Sequence, residues 1–63
     1  MDLKRYYGKR VKIIADDKKT YIGTVTDYIY PEDDESEGIL IEDDSLEYPI
    51  VFTIGEIVSI ISI

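Results

Sequence analysis

The chain has 63 residues, neither cysteine nor histidine, 33% charged residues and a net charge of −7. A chain this short buries only about 60% of the surface its unfolded form exposes. With no Cys or His it has no disulfide and no ordinary structural zinc, so self-association is the remaining common support and a homo-oligomer is expected.

Taken in chain order, Asp2 is placed to cap a helical turn over Leu3 to Tyr7, which Gly8 ends by adopting the left-handed conformation. Beyond Gly8 the period becomes two. Val11, Ile13 and Ala15 alternate with Arg10, Lys12 and Ile14, predicting a half-buried first strand over residues 9–15. Asp16 to Lys19 turns the chain into a long second strand, Thr20 to Tyr30. Strict alternation there puts Tyr21, Gly23, Val25 and Asp27 on one face and Ile22, Thr24, Thr26 and Tyr28 on the other. Gly23 is costly in mid-strand unless the strand bends sharply there. Pro31 to Glu37, acidic and without an apolar residue, reads as a mobile loop.

Ile39 to Ile41 forms a short third strand, Asp43 to Ser45 a turn, and Leu46 to Thr53 a fourth strand in which Pro49 belongs at an edge or bulge. Glu56 to Ile63 is the fifth strand. Five strands with an N-terminal helical turn predict one all-β domain over residues 1–63, a strongly bent, partly closed small barrel. In the fifth strand Ile57, Ile61 and Ile63 are expected on one face and Val58 and Ile60 on the other, so both faces need cover. Either the strand lies centrally across the small barrel, or a neighbouring subunit supplies the second cover, and then the Ile57, Ile61 and Ile63 face is the candidate subunit interface.

Charge is segregated along the chain. All seven basic residues precede Thr20 beside three acids, leaving that segment at +4, and the eleven remaining acids put the rest at −11. The basic segment interleaves Tyr6 and Tyr7 with Lys4, Arg5, Lys9 and Arg10, a pattern able to stack bases while neutralising phosphates. Tyr6, Tyr7, Lys9 and Arg10 are therefore the candidate nucleic-acid contacts, opposed by the downstream acids. No apolar run long enough to span a bilayer is present and the first residues do not read as a signal peptide, so the expected location is cytoplasmic.

Gly8 to Ile13, Tyr21 to Tyr28 with its Gly23 and Asp27, and Ile54 to Val58 around Gly55 together resemble the Sm-like (LSm) family, small SH3-like barrels that assemble into rings and bind RNA. The likeness spans nearly the whole chain and implies that fold, ring assembly and RNA as a partner. It departs from the family at the RNA pocket. The family uses an Asn shortly after the Asp of its first motif and an Arg beside the Gly of its second. Here no Asn exists anywhere, and Ile54 precedes Gly55. The usual base-reading pocket cannot be assembled from these positions, and any RNA would have to be held elsewhere.

Loss of His and Cys removes the commonest general base and the strongest nucleophile, so the chain is not expected to be an enzyme and implies no cofactor. The carboxylate pairs Asp16-Asp17, Asp33-Asp34 and Asp43-Asp44 read as solvated turn residues with ordinary acidity. Asp33, Glu35, Glu37, Gly38 and Asp44 follow the 1, 3, 5, 6, 12 spacing of a calcium loop, but strands stand where its helices should, and no metal site is expected. Three functions fit these residues: an Sm-like assembly or interaction module with an unidentified protein partner, an RNA binder using the basic N-terminal face, and a small acidic inhibitor of the phage type that imitates nucleic acid.

Overall fold

Alternation in the first strand carries straight into the structure, a computed structural model that describes residues 2–63. The elements are the 3-10 turn η1 (Leu3–Tyr6), β1 (Arg10–Ala15), β2 (Thr20–Ile29), β3 (Gly38–Asp43), β4 (Ile50–Thr53), the 3-10 turn η2 (Ile54–Glu56) and β5 (Ile57–Ser62). Asp2 caps η1 by accepting from the Lys4 amide at 3.2 Å, and Gly8 closes it at φ +78°. Val11, Ile13 and Ala15 turn inward to join Leu3, Val25, Ile39, Ile41, Phe52, Ile57 and Ile60 in the core. Among the described residues no helix is long and apolar enough to cross a membrane.

All five strands pair antiparallel in one sheet, in the order β4-β3-β2-β1-β5. The sheet is not closed into a barrel. β4 and β5 follow each other in sequence yet lie at opposite edges, because η2 joins them with a helical turn instead of the tight hairpin turn that would pair them. Glu56 stabilises that turn, its Oε1 accepting from the Thr53 amide at 3.0 Å and hydroxyl at 2.9 Å. The third strand is longer than expected and the fourth shorter. β4 begins at Ile50, directly after Pro49, which lacks the amide hydrogen a ladder needs.

Gly23 is buried where β2 and β3 converge, and a Cβ there would lie 2.1 Å from the Glu42 carbonyl oxygen. Only a hydrogen allows the two backbones so near, so this glycine is required for the close approach of β2 and β3.

Two register shifts overturn the strict alternation. In β2, Val25 pairs with Ile41 and Asp27 with Leu40, leaving Thr26 as an extra residue. Asp27 is consequently exposed rather than sharing the inner face with Val25, and Tyr28 packs against the core instead. In β5, Ser59 pairs with Ile14 but Ile57 with Ala15, so Val58 is the extra residue. Ile57 therefore does not share a face with Ile61 and Ile63: it is buried in the core beside Ile60, while Val58, Ile61 and Ile63 are 65%, 51% and 60% exposed.

Candidate functional site

Four of the candidate residues lie close in sequence, yet the fold sends them to different surroundings. Tyr6 is half-buried against the core, with the Arg5 guanidinium 5.7 Å from its ring centre. Arg10 reaches across the sheet to Asp44, its Nη2 2.5 Å from Oδ2, and that partner raises its already high pKa. Lys9 is exposed, and its backbone is tied to Tyr6 and Val25. Tyr7 lines a groove together with Lys4, Asp27, Tyr28 and Tyr30.

That groove is assembled from η1 and the residue after it, and from the chain just after the β2 bulge. Leu3 is fully buried, which anchors η1 and carries Lys4 and Tyr7 along one wall. The shift at Thr26 turns Tyr28 inward and Asp27 outward on the other wall. The rings of Tyr28 and Tyr30 meet edge to face at 4.9 Å, and the Lys4 ammonium sits 5.2 Å from the centre of the Tyr30 ring.

Glu37 holds the arrangement from behind. One of its oxygens accepts from the Leu3 amide at 3.3 Å and the other from the Tyr28 hydroxyl, while its backbone carbonyl accepts from the Ile54 amide at 2.8 Å. The hydrogen bond to Glu37, helped by burial, pushes the Tyr28 pKa up to about 12, so the phenol is a fixed donor and a poor acid. The acidic run before Glu37, expected to be a mobile loop, is exposed but folded back on itself through paired Glu32 and Glu35 backbones.

Asp43 departs most from the sequence reading. It does not point into water: it is only 7% exposed, its Oδ2 accepts from the Ile22 amide at 3.1 Å, and its Oδ1 accepts from the Ser45 amide at 2.8 Å and hydroxyl at 2.6 Å. The Ser45 hydroxyl first, then the two amides, hold its pKa below the usual carboxylate value against the opposing effect of burial. The clue in the sequence was the Asp-x-Ser spacing at a strand end, which suits a side chain that caps its own turn. The calcium-loop spacing is dismantled, because β3 runs straight through it between Gly38 and Asp43; among the described residues no three carboxylates gather as metal ligands.

The sheet edges form the other candidate surface. β5 exposes Val58 and Ile61, followed by Ile63, and β4 exposes Val51, with Tyr48 exposed just before it. Neither edge strand contains a charged residue. No protein-family model, no curated protein and no solved structure matches this chain.

Proposed function

We propose that this chain is a non-catalytic Sm-like module that assembles with copies of itself by adding the β5 edge of one subunit to the β4 edge of the next. The observation that carries this reading is the composition of the two edges. A third of the chain is charged, yet Glu56 is the only charge between Ile50 and Ile63. Soluble proteins ordinarily blunt free edges with charges, and here both are left apolar and free to pair. Two different edges meeting head to tail form a ring when the rotation closes. Coiling of the sheet into the Sm-like barrel belongs to the same proposal, supported by the close backbone approach at Gly23 and by Leu3 of η1 packing into the core.

Within this reading Val58, Ile61 and Ile63 contribute the interface, and Ile57 supports it from inside the core. Native mass measurement tests it. The wild-type chain is expected at a multiple of the monomer mass, and Ile61→Lys or Val51→Lys at the monomer mass. A wild type that stays monomeric at millimolar concentration would overturn the assembly.

RNA binding is the second reading, favoured by exposed Tyr7 and Tyr30 beside Lys4. It is weakened by the commitment of Arg10 to Asp44. It requires affinity that falls steeply with salt and drops after Lys9→Ala with Arg10→Ala.

A further inference from the structure

The tyrosine groove beside η1 already holds a cation, and that cation belongs to the chain itself. Lys4 places its ammonium over the face of Tyr30, whose ring is braced edge-on by Tyr28, which is in turn fixed by its hydroxyl bond to Glu37. Tyr30 is 59% exposed, so the seat opens to solvent. The carboxylates at it are Asp27, which lines the groove, and Glu37, which bonds the Tyr28 hydroxyl from behind. Lys4 is the one cation among the described residues lining the groove. A phosphate entering it would meet the Asp27 carboxylate with one ammonium in its favour. A cation would meet aromatic faces and carboxylates, on a chain whose net charge is −7.

We propose that this groove receives a lysine side chain from a basic protein partner, and that Lys4 occupies the seat in the free chain. The incoming ammonium replaces Lys4 over Tyr30 and gains Asp27 as its counter-charge. Lys4 swings into water on an exposed turn. The site is separate from the β4 and β5 edges and does not depend on the assembly reading.

Hexalysine titrated into the full chain, followed by the NMR signals of Tyr30 and Lys4, tests this directly. Tyr30→Ala is expected to weaken binding by roughly two- to fivefold, and Tyr30→Phe, which keeps the ring face, to retain it. Lys4→Ala should tighten binding, and by more than Lys19→Ala, which makes the same change in net charge in the distant β1–β2 turn. Tyr7→Ala, on the opposite wall, repeats the test should Tyr30→Ala disturb the circular dichroism. The proposal is overturned by absence of hexalysine binding, by Lys4→Ala binding no tighter than Lys19→Ala, or by an oligouridine that shifts Tyr30 and is lost on Lys4→Ala, which would make the groove an anion site.

Discussion

Where β2 meets β3 the backbones approach so closely that Gly23 has room for no side chain, and Asp43 satisfies three donors from a buried position. Among the described residues, β4 and β5 end the same sheet with no strand on their outer sides and no charged residue in either. The centre is expected to tolerate little change, because the contact at Gly23 and the hydrogen bonds of Asp43 leave no slack there. The edges are expected to tolerate more, because Val51, Val58 and Ile61 are exposed there. Under the proposed assembly, stability and association would depend on different parts of one small sheet.

The strongest way to break this contrast is Gly23→Ala. Its methyl would lie against the Glu42 carbonyl, backbone that cannot rotate away, so a loss of about 3 kcal/mol or more is expected, enough to unfold most of a chain this small. Urea unfolding measures it, and a variant as stable as wild type would show that β2 and β3 part easily. Asp43→Ala comes next, at about 2 kcal/mol, since it strands the Ile22 and Ser45 amides near the core.

Asp43 also sets a pH dependence. Its folded pKa lies below its ordinary value of 3.8, so its contribution is complete above that value and is lost as pH falls through the folded pKa. Stability measured between neutral pH and strong acid should therefore fall less steeply for Asp43→Ala than for wild type. At the edge, Ile61→Lys should leave unfolding of the monomer nearly unchanged while abolishing association. Arg10→Ala is expected to have the smallest effect. The Arg10–Asp44 pair is exposed, so the thermal midpoint should barely move, and raised salt should erase any difference from wild type.

Much of the fold was legible because it follows from local chemistry. Val11, Ile13 and Ala15 alternate with Arg10, Lys12 and Ile14, and Gly8 stops a turn; each of these acts within a few residues of itself, whereas Pro49, expected inside the fourth strand, lies just before it. The candidate site was only partly legible. Tyr7 lines the groove, but Asp27, Tyr28 and Tyr30 reach it through the bulge at Thr26, and Glu37 braces Tyr28 from behind through a return of the chain from the acidic segment. Arg10 was assigned to the same surface and instead pairs with a residue 34 positions away.

The sequence by itself determined the strand order along the chain and the apolar inner positions of β1, since these depend on side-chain type and period alone. Only the tertiary structure decided which way residues face beyond Thr26 and Val58, that Asp43 is buried, and that the sheet stays open between β4 and β5. The physical reason is that a bulge, a buried carboxylate and an unpaired edge are each defined by a neighbouring strand. A residue's own identity carries no record of which strand will lie beside it.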